Sequence, residues 1–290
     1  MSQLETGKKV NNYLKLIKFS HTIFAMPFAF IGYFLAIDTG YRLSWITLIL
    51  VILCMVFARN AAMAFNRYAD REIDLKNPRT ALREIPRGVI KPGSALKFVI
   101  LNSIAFMVTT GFINTLTLCL SPIALILVLG YSISKKFTFL CHFILGLGLS
   151  LAPIGAFLAV TGQFVWLPIV FSFVVLLWVS GFDIIYALQD EQFDKTENLN
   201  SIPAFMGVKQ AIILSSLIHL TCAALVIFVG FLGHFGKWYW IGATLFISLL
   251  IYQHRLVKPN DLSRLNHAFF TANGFASLIY AIFTVTDLLV

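Results

Sequence analysis

A series of long, unbroken apolar runs constrains this chain more than any other feature. They measure roughly 18 to 25 residues, the length a helix needs to cross about 30 Å of hydrocarbon. Stretches such as Ile46–Phe57, interrupted only by Thr47, and Ile123–Leu129 run apolar without alternation, whereas a barrel strand would alternate every second residue. Backbone amides in lipid must be satisfied within their own segment, so the runs predict helices. Hydropathy places nine spans, at about 19–37, 43–65, 95–113, 115–133, 139–160, 165–185, 208–232, 238–253 and 266–288. Hydrophobic residues make up 59% of the chain and charged residues 12%. A soluble domain would carry about 25% charged residues. The expected fold class is all-α and integral to the membrane, with about nine transmembrane helices around a central cavity open near the cytosolic face.

The basic residues orient those spans. With the N-terminus in the cytosol, all but Arg42, Arg59 and Lys237 of the 22 Lys and Arg fall in inner segments, as the positive-inside rule requires. The C-terminus then lies on the outer side. Topology and anionic headgroups account for the net charge of +9 without nucleic acid. The first apolar run contains Pro27 and lacks a clear cleavage site, so it is expected to be a retained helix. Cys54, Cys119, Cys141 and Cys222 each sit singly in apolar runs and read as small buried hydrophobes. His142, His219, His234, His254 and His267 show no metal-ligand spacing.

Two long inner loops, near 66–94 and 186–207, gather the polar chemistry. Asn66, Asp70 and Asp74 are spaced by fours, which places them on one side of a helix continuing from the second span. Asp183, Tyr186, Asp190 and Asp194 form a second stripe, continuing from the sixth. The positions Asn66, Asp70 and Asp74 map onto Tyr186, Asp190 and Asp194 at a constant offset of 120. Arg83-Glu84-Ile85-Pro86 echoes Asn200-Ser201-Ile202-Pro203 at an offset of 117. Both point to two related helical halves, as in membrane proteins built around a central site.

Carboxylates at a membrane edge are costly to desolvate and repel one another. A divalent cation answers both problems, and the hard oxygens of Asn66, Asp70, Asp74, Asp183, Asp190 and Asp194 suit Mg²⁺ sharing its shell with phosphate. Arg71, Arg79, Arg83, Arg87, Lys135 and Lys136 are expected at the same face. Carboxylates, metal and cations together bind a polyphosphate and stabilise charge as it leaves. Arg59 lies two turns before Asn66 on the same side, and Tyr131 and Lys135, four apart, can reach one point. The candidate diphosphate ligands are Arg59, Arg71, Arg79, Tyr131, Lys135 and Lys136.

The stretch Asn66-Arg67-Tyr68-Ala69-Asp70-Arg71-Glu72-Ile73-Asp74 resembles the first acidic motif of the UbiA family of intramembrane prenyltransferases. Asp183 to Asp194 is similar to the second, and Tyr131-Ser132-Ile133-Ser134-Lys135 to its YxxxK element. Arg67 stands where the family usually has Asp, but it points about 100° from the stripe. Lys18 and His21 replace a frequent arginine and asparagine in the first helix. The resemblance implies a single prenyltransferase domain over residues 1–290. It implies Mg²⁺-dependent transfer of a polyprenyl group from its diphosphate to a hydroxylated aromatic acid. The 4-hydroxybenzoate polyprenyltransferase-like members are the most similar, leaving 4-hydroxybenzoate or a dihydroxynaphthoate as acceptor in ubiquinone or menaquinone biosynthesis. Asp70, Asp74, Asp190 and Asp194 would be catalytic, and Lys18, His21 and Tyr186 would meet the acceptor. The implied location is a bacterial inner membrane, with no protein partner. The competing reading is a cation-coupled secondary transporter, for which the almost wholly apolar outer halves of the spans offer no polar path.

Overall fold

The computed structural model describes residues 12, 13, 16, 25–259, 261–265 and 272–290. Among the described residues the regular structure is helical, joined by turns and loops, apart from one isolated bridge between Lys258 and Asp261. In chain order the helices are α1 (Met26–Asp38), α2 (Trp45–Ala69), α3 (Arg71–Lys76), α4 (Pro92–Gly111), α5 (Thr115–Ser134) and α6 (Cys141–Thr161). There follow α7 (Trp166–Ala187), a 3-10 turn (Leu188–Asp190), α8 (Glu191–Thr196), α9 (Ile202–Met206), α10 (Val208–Leu232), α11 (Lys237–Leu256) and α12 (Asn273–Leu289). Six segments are long and apolar enough to cross a membrane: α2, α4, α5, α6, α10 and the stretch Trp166–Thr196. The expected span at 238–253 corresponds to α11, which falls outside that set. The first and last expected spans run partly outside the described residues.

Local chemistry sets the helix ends. Ser44 Oγ accepts the amide of Thr47 at 3.2 Å and Asn114 Oδ1 that of Thr117 at 2.8 Å, capping α2 and α5. Pro92 opens α4, where its missing N–H costs nothing. Gly162 ends α6 at φ +64°, a left-handed cap that a Cβ would strain.

Side chains of minimal size let the long helices touch. A Cβ on Gly146 of α6 would stand 2.5 Å from Ser180 Oγ and 2.6 Å from the Leu176 carbonyl of α7. One on Gly32 of α1 would meet the Pro153 carbonyl of α6 at 1.9 Å. Small residues at such crossings are how helices pack in lipid, where hydrophobicity alone does not drive them together. Around this seam lies a core of Phe28, Phe171, Trp178, Tyr239, Phe246 and Tyr280, all fully buried. Of the cysteines only Cys222 is buried, while Cys119 is exposed on α5. The expectation of four buried thiols fails because an apolar run in lipid needs no inward face.

Candidate functional site

The two acidic stripes are not single continuous helices. The first breaks at Asp70 (φ −94°, ψ 5°) between α2 and α3, and the second at Asp190 (φ −105°, ψ 6°) before α8. The stripe spacing survives the first break, because the Asp70 amide still donates to Asn66 O at 3.0 Å and the Asp74 amide to Asp70 O at 2.7 Å. Both breaks fall at the middle position of the three-residue repeat, and α3 and α8, six residues each, sit 120 positions apart.

The two segments meet. Asn77 Nδ2 donates to Asp190 Oδ1 at 3.0 Å, and Arg79 Nε does so at 3.0 Å while its Nη2 bonds Oδ2. Arg79 Nη1 also donates to the Tyr186 hydroxyl at 3.2 Å, with its guanidinium over the Tyr186 ring. Burial pulls the Arg79 pKa down, but its bonds to Asp190 more than offset this and hold it above the ordinary arginine value. Arg83 Nη1 lies 2.6 Å from Asp74 Oδ1, and Lys76 pairs with Glu197 across the gap at 2.6 Å.

These segments close one end of a cavity of about 620 Å³. At that end its wall holds Asn66, Asp70, Asp74, Asp183, Tyr186, Asp190, Asp194, Arg59, Arg79, Tyr131 and Lys135. Beyond them the lining is largely apolar, reaching Val51 on α2, Thr117 on α5 and Ala159 on α6. Arg71 and Lys136 are absent from this wall: Arg71 turns to Glu72 and the Tyr68 carbonyl, and Lys136 Nζ donates to the Ala69 carbonyl. Lys18 and His21 lie outside the described residues.

Among the described residues, no three His, Cys, Asp or Glu side chains converge closely enough to hold a metal by themselves. The donor set nevertheless fits a hard cation completed by phosphate and water. Asp70 Oδ1, Asp74 Oδ2 and Asp194 Oδ1 are buried with no hydrogen-bond partner, and a buried, unpaired carboxylate oxygen is costly. Asn66 Nδ2 donates to Asp70 Oδ2 at 3.2 Å. Burial raises the Asp70 pKa, Lys135 opposes it, and the neighbouring Asp74 adds to it. Asp183 Oδ2 is 2.7 Å from Nδ1 of the buried His142.

Sequence reasoning set Arg67 aside, found no ligand spacing at His142, passed over Asn77 and left Arg83 outside the ligand set; all four line the cavity. Arg67 is buried with an unpartnered Nε, so the wall spans a wider arc than one helical stripe. The partners of Asn77 and His142 lie 113 and 41 residues away, beyond any helical periodicity.

An all-helical integral membrane protein with paired acidic segments at one end of an apolar-walled cavity is the class defined here. The chain matches the model of the UbiA prenyltransferase family over residues 25–278, and it belongs to that family, as its motifs indicated. It is 32% identical over 241 residues to a 4-hydroxybenzoate octaprenyltransferase of Aliivibrio fischeri (strain MJ11), covering 82% of each chain. A 4-hydroxybenzoate octaprenyltransferase of Nitrosospira multiformis is 30% identical over 254 residues, 86% of this chain and 85% of its own. A UbiA homolog from Aeropyrum pernix K1, solved in its apo form, superposes with a TM-score of 0.84 at 31% identity, covering 92% of this chain and 98% of that one. A homolog from Archaeoglobus fulgidus bound to GPP and Mg²⁺ gives 0.73 at 20% identity over 96% and 100%, a likeness of fold. None of these matches supports a transporter.

Proposed function

We propose that this chain, as one transmembrane domain over residues 1–290, moves a polyprenyl group from its diphosphate to a hydroxylated aromatic acid with Mg²⁺ as cofactor. The observation that carries this reading is the meeting of two acidic segments and several cations at the polar end of one apolar-walled cavity. The relatives named 4-hydroxybenzoate octaprenyltransferase support a 4-hydroxybenzoate-type acceptor. A dihydroxynaphthoate serves the same chemistry in a menaquinone route.

Asn66, Asp70, Asp74, Asp183, Asp190 and Asp194 would hold the metal, Asp183 through the oxygen that does not face His142. When bound, Mg²⁺ supplies positive charge to the diphosphate oxygens. Arg59, Arg79, Tyr131 and Lys135, joined by Arg83, bind the diphosphate and stabilise the negative charge it gains as the allylic C–O bond breaks. The apolar wall holds the prenyl tail and keeps water from the allylic carbon while the aromatic ring attacks C1. The acceptor is assigned to Tyr186, held by Arg79, and, as the family resemblance implies, to Lys18 and His21, which lie outside the described residues. By the positive-inside rule the acidic end is cytosolic, with the N-terminus inside and the C-terminus outside a bacterial inner membrane.

Purified protein with Mg²⁺, a labelled polyprenyl diphosphate and a panel of aromatic acids tests the proposal. A labelled product with one acid names the acceptor. No product with any hydroxylated aromatic acid overturns the reading.

A further inference from the structure

His142 is the second residue of α6, 3% exposed, and part of the cavity wall. Its Nδ1 lies 2.7 Å from Asp183 Oδ2, and the amide of Ile202 donates to its Nε2 at 3.3 Å. An amide N–H can only donate, so Nε2 accepts and the ring proton sits on Nδ1, directed at Asp183. One imidazole thus joins the start of α6, the first acid of the second stripe on α7 and the first residue of α9. Burying a polar ring is costly unless its nitrogens are paired, and here both are.

The same seam carries further stitches. Cys141 Sγ donates to the Asn200 carbonyl at 3.5 Å, and the Asn200 amide donates to the Lys135 carbonyl at 2.7 Å. Ser180 Oγ, whose proton goes chiefly to the Leu176 carbonyl at 2.7 Å, lies 3.3 Å from the His142 carbonyl. The platform beneath is rigid, because Gly146 presses α6 onto α7 at the Leu176 carbonyl. The segment that follows Asp194 is thereby tied back to the helix ends that carry Lys135 and Asp183.

We propose that His142 is a positioning residue: it orients the Asp183 carboxylate and anchors the far end of the second acidic segment. Asp194 and Lys135 then keep their places at the diphosphate end of the cavity. The inference rests on the prenyl-transfer reading above. Supports of this kind, when removed, cost about 10–100-fold in metal affinity or activity.

The test uses the full-length protein in detergent, with turnover and the rise in melting temperature on adding Mg²⁺ and inorganic pyrophosphate as readouts. His142→Phe, which keeps a ring and loses both bonds, is expected to lose about 10–100-fold in turnover and most of the ligand-induced rise. His142→Asn, whose amide can still donate to Asp183, should stay within about threefold of wild type, because the bond it keeps is the one at issue. In a double-mutant cycle, His142→Phe with Asp183→Ala should lose far less than the product of the two single losses. Where His142→Phe does not fold, His142→Gln decides: it keeps an acceptor for Ile202, gives up the donor to Asp183 and should fall about tenfold. Wild-type behaviour in His142→Phe, His142→Asn falling as far as the variants that lose the Asp183 bond, or losses that multiply would each overturn the assignment. A wild-type protein that makes no prenylated product overturns both this inference and the reading it rests on. One that does so while His142→Phe matches it overturns this inference alone.

Discussion

Burial governs Asp70, whose carboxyl holds its proton to a higher pH than an exposed aspartate would. The proposed metal needs the carboxylate, so proton and Mg²⁺ would compete there, with acidification favouring the proton. The Mg²⁺ concentration for half-maximal turnover should therefore rise as pH falls toward the raised pKa, with turnover recovered at saturating Mg²⁺. Magnesium titrations at several pH values check this; a half-saturation that does not move with pH contradicts it. Asp70→Ala and Asp190→Ala should each lower turnover by about 100-fold or more, since each removes a carboxylate proposed to hold the metal that draws charge from the leaving diphosphate. Full activity in either would displace the assigned site. Asp70 and Asp190 were legible in the sequence because spacing by fours survives a local break in the helix. Arg83, Asn77 and His142 were not, because their roles depend on bonds to other segments that no local pattern encodes.

At the scale of elements, the ends of the long helices were readable to within a few residues. Apolar run length and caps such as Ser44 and Asn114 are local properties. The breaks at Asp70 and Asp190 were not, since helical spacing and charge continue straight across them. Asn114 does double duty: it caps α5 and its Nδ2 donates to the carbonyls of Leu158 at 2.9 Å and Ala159 at 3.3 Å on α6. Asn114→Ala should cost about 1–2 kcal/mol, the upper range for a lost cap, visible as a lower melting temperature in detergent. Gly146→Ala should cost about 1–3 kcal/mol by overpacking the α6–α7 crossing. The same melting measurement checks it, and an unchanged value would mean that the two helices separate freely.

At the scale of the whole molecule, the cavity wall runs along α5 from Lys135 to Thr117. At about 1.5 Å per residue this is about 27 Å. An extended isoprene unit spans about 4–5 Å, by the bond geometry that gives a peptide residue about 3.3–3.6 Å. The enclosed length therefore accommodates about five to seven units. KM should fall as the donor lengthens to that point and level off beyond it, a profile that a series of prenyl diphosphates of increasing length would trace. A KM that is flat from the shortest donor, or still falling steeply at eight units, would place the tail elsewhere.

The same cavity, charged at one end and apolar along most of its depth, also works as a partition. A molecule with an ionic head and a hydrocarbon tail has only one inexpensive way to lie in it, because the reversed pose would carry a diphosphate into the oily end, where the cost of desolvating an ion is several kcal/mol. Orientation is thus decided by solubility before any hydrogen bond forms. In the proposed reaction the prenyl chain passes to the ring without the diphosphate that held it in place, and the prenylated product would favour the bilayer. Product departure is then downhill in the same medium that delivered the donor.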